Sequence, residues 1–443
     1  MVFDPSIIPN SSKLLLTLDN TPISADQSDF PLTVILDSVA SSLHAAIFAA
    51  LGTNSKKLSI EAGSTQLPVE IEKWDSSGEK AILHVKVPTF AAATATELIL
   101  SWDAAQDDNT AHVGDIGSTV GQSVWDSTFA AVYHMSQDPT GGAGCIKDST
   151  ANARNGTTYG TMTSGDLIDG QALDFDGTDD RVVAASYDHN TGQFCWEVFV
   201  KNRSKDAEKI TLDNLAGANY SNRTFVGFHD GSHAGQARFF YNTGSSSGSL
   251  WSGIDHTDNI VHIAAQRDGS NLYSLYTDGV SRSSTTIVGD LSQAASWTIG
   301  STGAPGNWTN CIIYEVRFST SARSTDWIKL TNLSLTDQLI AWSAVEATLA
   351  LRAILDQPYQ LEGTLRRPVD QPYHLLAPYL AKLDQIYGLQ LLALIAQHYG
   401  DVPVRLAKLD QYWGAAAELK KILREVYGNN PVAQNTLTEP YDL

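Results

Sequence analysis

The stretch QRDGSNLYSLYTDGV, from Gln266 to Val280, constrains the fold more than any other part of the chain. Two Asp-Gly pairs bracket an alternating run, and Asp-Gly tolerates the positive φ that a tight hairpin turn requires. Runs of the same kind fill residues 120 to about 340: AAVYHM, QALDFDG, DRVVAAS, CWEVFVKN, RTFVGFHD, ARFFYN, VHIAAQRDG, LYSLYTDG, SWTIGS and CIIYEVRFS. So many short strands, with Gly and Asp turns between them, need two stacked sheets. Residues 1–115 give a smaller set: KLLLTL, FPLTVILDSV, LPVEIEKW, AILHVKVPTF and TELILSW, with SSLHAAIFAALG as the helix-like piece. That set predicts a small β-sandwich.

From residue 345 the pattern changes. Leu355-Asp-Gln-Pro-Tyr returns at Val369, Leu383, Ile395, Leu409, Leu423 and Leu437, in steps of 14 residues with one step of 12. A period of 14 suits a coiled coil. Pro358, Pro368, Pro372, Pro378, Pro403, Pro431 and Pro440 oppose it, since each removes a helical hydrogen bond. Alternation between the turns, as in Tyr373, Leu375, Ala377, Tyr379, Ala381 and Leu383, favours a strand-turn repeat. GAAAELKKILREVYG has good helix propensity, so a helical or mixed end is the alternative. A unit this short needs neighbours to bury its face. The expected organisation is therefore a small β-sandwich at 1–115, a larger one at 120–344 and a repeat for assembly at 345–443.

Net charge narrows the partners. The chain carries −20, and residues 345–443 contribute only −2, from nine Lys/Arg against eleven Asp/Glu. An acidic surface argues against nucleic acid, because counterion release would work in the wrong direction. No apolar run reaches the roughly 18 residues of a membrane helix, so no membrane insertion is expected. MVFDPSIIPNSS lacks a basic region followed by an apolar run, and a cleaved leader is not expected. Cys145, Cys195 and Cys311 lie far apart and read as buried thiols, with a bridge from Cys145 or Cys195 to Cys311 as the alternative.

The order GQALDFDGTDDRVVA, FCWEVFVKN, HIAAQRDGSNLYSLYTDG, IGS and IIYEVRFSTSARSTDWIKLTNLS resembles that of laminin-G/concanavalin-A-like lectin domains. Glu315-Val316-Arg317, Ala322-Arg323, Trp327 and Asn332 resemble the family's closing strand and short helix. The resemblance implies a jelly-roll sandwich. Residues 1–115 resemble a short β-domain of unknown function that often precedes such domains in phage and bacterial surface proteins. Its last strand here ends ILSWDAA, where that family usually ends on a Tyr-Tyr-Gly-like sequence.

Four aspartates are the first chemical candidates. Alternation puts Asp174 and Asp176 on one face of a strand, and the following turn brings Asp179 and Asp180 near. Hard oxygen ligands at this density suit Ca2+; the competing reading is turn chemistry. Sugar stacking needs aromatics beside polar loops, and Tyr220, Tyr241, Trp251 and Trp308 fit. His229 and His233 read as turn polarity. Glycosidases need paired carboxylates, yet Glu197 and Glu315 each stand alone, and Glu315 is expected to pair with Arg317 or Arg323. No nucleophile motif, phosphate loop or His-Glu-x-x-His is present. A non-enzymatic protein is expected: a bacteriophage virion component such as a tail fibre, tail tip or decoration protein. It would display a lectin-like domain to cell-surface glycan and join itself or other virion proteins through its repeat. The alternatives are a secreted adhesin at the bacterial cell surface and a glycan-degrading enzyme.

Overall fold

A computed structural model describes residues 3–165, 172–187, 192–205, 208–214, 222–229, 231–289, 291, 295–303 and 306–345. The first sandwich stacks two sheets. One runs Ile340–Ala344, Lys13–Leu18, Thr96–Trp102, Leu58–Ala62, Thr65–Gln66; the other runs Gln27–Asp37, Lys80–Phe90, Val69–Asp75, Val113–Asp115. Alternation explains its core. Leu14, Leu16 and Leu18 face Phe30, Leu32 and Val34, with Leu83, Val85, Val69 and Ile71 beside them. Helix Ser42–Leu51 adds Ile47, Phe48 and Leu51 and stops at Gly52, whose φ of 53° a Cβ would strain.

One strand of this sandwich comes from far along the chain. Ile340–Ala344 pairs antiparallel with Lys13–Leu18, although the sequence assigns it to the second domain. The Lys13–Leu18 strand would otherwise be an open sheet edge.

The second sandwich also has two sheets. The first is ordered Thr157–Tyr159, Arg181–Tyr187, Ala295–Ile299, Lys209–Asp213, Arg223–Phe228, Gln236–Asn242, Ser247–Asp255. The second is ordered Thr163–Gly165, Ala172–Asp176, Asn310–Ser319, Phe194–Asn202, Ile260–Arg267, Leu272–Thr277, Val280–Thr286, with Phe129–Tyr133 beside the far half of Asn310–Ser319. Trp196 meets Trp297 edge-on at 4.2 Å between the sheets, and Phe318 packs on both. The hairpin turn at Asp278-Gly279 has φ of 52° and 74°, the two positive angles of a type I′ turn. The earlier Asp268-Gly269 pair sits in a longer turn, where Asn271 takes the positive φ of 63°.

Trp196 and Phe199 do not share a core. Three residues apart on a strand, they point to opposite faces. Phe199 lies on the second sheet's outer face with Tyr314, Ile312 and Ala172, against Leu335 and Ile82 of the first sandwich. Helix Thr325–Leu335, capped by Ser324 at 3.0 Å to the Trp327 amide, lies in the same joint. Ile328 covers Cys195 and Ala264, while Trp327 reaches Phe30 at 5.1 Å. The outer face of this sheet is therefore buried, and the two sandwiches meet across it. Cys145, Cys195 and Cys311 are free thiols. Among the described residues no helix is long and apolar enough to cross a membrane. The expectations for the repeat at 346–443 lie outside the described residues.

Candidate functional site

Strands Ala172–Asp176 and Arg181–Tyr187 carry the predicted aspartates. Leu173 and Phe175 are buried in the core, so alternation turns Asp174 and Asp176 outward together. Gly177 makes the turn at a φ of 83°. The four carboxylates then divide. Asp174 pairs with Arg203, whose Nη1 donates to Oδ2 at 3.0 Å and whose Nη2 donates to Oδ1. Its charge is already matched by a cation. Oxygens of Asp176, Asp179 and Asp180 lie within 4.8 Å of one another. Asp180 Oδ2 accepts the Asp176 amide at 2.9 Å, while Asp180 Oδ1 is buried without a hydrogen-bond partner. Burial, helped by the charges of Asp176 and Asp179, pushes the Asp180 carboxyl above its ordinary range. Three carboxylates with oxygens this close, one of them buried, are a fit for a hard cation.

Asp174, Asp176 and Asp180 line a cleft of about 540 Å³ with Thr161, Thr163, Arg203 and Asn310. The Arg181 guanidinium lies 4.3 Å from the Tyr159 ring and 5.6 Å from the Trp308 ring. Tyr159 is 44% exposed, and Trp308 is half-buried. Tyr159 was not foreseen; its signal is a strand-end aromatic next to Gly160.

The other ligand candidates are placed differently. Trp251 belongs to a separate cluster on the first sheet's outer side. His233 stacks on it at 4.2 Å, His229 meets it edge-on at 4.8 Å, and the Arg238 guanidinium lies 5.0 Å from its centroid. Arg238 also lies over Phe225 and Phe240, which stack at 4.7 Å. Arg223 grips Asp213 bidentately at 2.9 and 3.1 Å beside them. Tyr241 points inward instead. It is 6% exposed and packs against Tyr273 at 5.0 Å, because Ala237, Phe239 and Tyr241 form the inward set of their strand. Tyr220 lies outside the described residues.

Residues 176–329 match the model of the Concanavalin A-like lectin/glucanases superfamily. This region is a concanavalin A-like lectin/glucanase domain. No curated protein matches the chain. Solved structures similar to it include the binding domain of Paraclostridial Mosquitocidal Protein 1, at 10% identity over 47% of this chain and 52% of that one, with a TM-score of 0.38. Domain 4 of AbnA, a GH43 extracellular arabinanase from Geobacillus stearothermophilus, is 18% identical over 46% of this chain and 97% of its own, with a TM-score of 0.37. The Botulinum Neurotoxin serotype G binding domain is 11% identical over 46% and 51%, with a TM-score of 0.37. The chain spans about half the length of the two toxin binding domains.

In the lectin-like domain, the two carboxylates weighed for glycoside cleavage both sit under the first sandwich. Glu315 Oε1 accepts from Arg317 Nε at 2.7 Å, as the sequence suggests, and its other oxygen meets His134. Glu197 Oε1 lies 3.4 Å from His262 Nε2, and Glu197 stands opposite Arg317 across the strand pair. Both are at most 2% exposed, so neither opens onto the aspartate cleft or any solvent-filled groove.

Proposed function

We propose that the chain is an adhesive virion protein of a bacteriophage whose lectin-like domain holds cell-surface glycan at the aspartate cleft. One observation carries this reading: Asp176, Asp180, Arg203 and Asn310 line a polar cleft, and Arg181, the residue after Asp180, lies over the partly exposed rings of Tyr159 and Trp308. Sugars are held by such a combination, an apolar face on a ring and hydroxyls on carboxylates and amides. A calcium ion on Asp176, Asp179 and Asp180 would fix the turn and offer further coordination to hydroxyls. The repeat at 345–443, with its 14-residue metre, is read as the segment that joins copies or neighbouring virion proteins.

A glycan array with the full chain tests the binding step. Binding lost in Trp308→Ala and in Asn310→Ala, with unchanged melting, supports it; binding that ignores both changes sinks it. The genes flanking the coding sequence test the virion assignment, since neighbouring portal, capsid or tail genes are required.

A further inference from the structure

Where the first sandwich meets the covered sheet of the second, ionisable side chains are sealed from water. Alternation puts Glu70 and Glu72 on the outer side of Val69–Asp75, because Val69 and Ile71 fill the first core. His84 leaves Lys80–Phe90 on that side, between the inward Leu83 and Val85. His134, following strand Phe129–Tyr133, and Glu315 face them from the lectin-like domain. A register shift between Phe199 and Val200, opposite Glu315 and Ile313, marks a bulge that lets Tyr314 and Glu315 both avoid the core. The side chains of Glu70, Glu72, His84 and His134 are 0% exposed, and that of Glu315 is 2%.

One donor atom each of Glu72, His84 and His134 lies within 4.8 Å of the other two, close enough to share one ion. His84 Nε2 lies 2.8 Å from Glu72 Oε2. His134 Nδ1 lies 3.6 Å from the same oxygen and 2.7 Å from Glu315 Oε2. Ligands at roughly 2.0–2.1 Å from a tetrahedral ion stand about 3.3 Å apart. The remaining ring nitrogens are held from behind. His134 Nε2 lies 3.2 Å from Glu70 Oε2, and His84 Nδ1 lies 3.3 Å from Thr33 Oγ1. Glu70 in turn accepts from Trp125 Nε1 at 2.7 Å, and Glu315 accepts from Arg317. Metal-binding histidines are oriented in this way. Two buried oxygens, Glu70 Oε1 and Glu72 Oε1, have no hydrogen-bond partner.

Charge makes the same point. Glu315 is matched by Arg317, whereas the charges of Glu70 and Glu72 meet only imidazoles, which stack in parallel at 4.2 Å. With neutral imidazoles, two positive charges are wanting, and a divalent ion supplies both. We propose that Glu72, His84 and His134 form a closed zinc site that pins the first sandwich to the lectin-like domain, with Glu315 Oε2 held against His134. Two imidazoles in the ligand set favour Zn2+ over Ca2+, which takes six to eight oxygens. No face opens to solvent for a substrate, which makes the site structural.

The test uses the full chain expressed with added zinc, desalted and assayed for metal. About one zinc per chain is expected, retained in Asp180→Asn and reduced at least about tenfold in Glu72→Gln and His84→Gln. Refolding from guanidinium with Co2+ should give the strong visible absorption of a tetrahedral site, and refolding with Zn2+ should raise Tm by several degrees over refolding with chelator. Glu72→Gln keeps the shape of its side chain, so it reports on ligation even if His84→Gln fails to fold. Wild type that holds less than about a tenth of an equivalent, and melts alike with zinc and with chelator, overturns the site in favour of a proton-filled cluster. Zinc held equally by wild type and Glu72→Gln also overturns it.

Discussion

Leu16 and Trp342 stand opposite each other on paired strands, although they come from opposite ends of the described chain. Everything in the lectin-like domain lies between them in sequence. The first sandwich is thus completed only after the second has been made.

A chain ending at residue 345 should therefore melt as the full chain does, whereas one ending at residue 337 should lose the first sandwich. The single change Leu339→Ala should cost about 2–4 kcal/mol, because Leu339 is buried in that sandwich's core. Thermal melts of these three variants beside the full chain check this. Equal Tm values for the two truncations would mean that the last strand contributes nothing.

Calcium should act through Asp180. Its raised carboxyl sets the sign: the folded state favours the proton, so this residue's contribution falls as pH rises from the ordinary aspartate value through the folded one. Ca2+ at millimolar concentration should raise Tm by several degrees near neutral pH, reversibly with chelator, and Asp180→Asn should abolish the shift. An unchanged Tm in wild type would leave the aspartates as turn chemistry.

Tyr241 and Trp308 should part company on mutation. Tyr241→Ala should destabilise by about 3–5 kcal/mol, as loss of a large core ring does. Trp308→Ala should stay within about 1 kcal/mol of wild type and lose glycan binding. Denaturant melts beside the array separate the two.

Acid should weaken the joint through Glu197. Burial pushes its carboxyl up, but His262, Arg317 and Arg323 outweigh it and hold the carboxyl below its ordinary value. A depressed carboxyl stabilises above the unfolded value and loses that contribution as pH falls through the folded one. Glu197→Gln should cost about 2 kcal/mol at neutral pH. The gap to wild type should close as pH falls from the ordinary glutamate range through the lower folded value. A gap constant with pH would assign the cost to packing instead.

The repeat should govern assembly. Sedimentation of the full chain against a chain ending at 345 should show an oligomer and a monomer, respectively. Monomers in both cases at micromolar concentration, with no partner, would remove the assembly role.

Periodicity carried much of this fold in the sequence. Strands Phe194–Asn202, Arg223–Phe228, Gln236–Asn242, Ile260–Arg267, Leu272–Thr277, Ala295–Ile299 and Asn310–Ser319 and the outward pairing of Asp174 with Asp176 follow from the pattern of the sequence, whereas the more polar Lys209–Asp213, Ser247–Asp255 and Val280–Thr286 do not. What alternation hides is parity across irregularities. In ARFFYN three aromatics stand in a row, and only the register decides that Tyr241 goes inward and Phe240 outward. At Tyr314 and Glu315 a bulge breaks the count. Partners from distant strands are equally hidden: Arg203 reaching Asp174, or His134 meeting Glu70, depends on how sheets stack. Leu58–Ala62 is short, follows two lysines and contains Ser59 and Glu61, so its apolar run is too weak to read.

Strand Ile340–Ala344 also has a mechanical meaning. It is the last described strand before the repeat, and five residue pairs fasten it to Lys13–Leu18. Tension applied through the tail while the lectin-like domain is held would load this seam first. Its antiparallel hydrogen bonds would act as a tether that must rip before the pull reaches helix Thr325–Leu335 and the sheets behind it. A grip would then fail, or slacken, at the first sandwich while the aspartate cleft kept its shape.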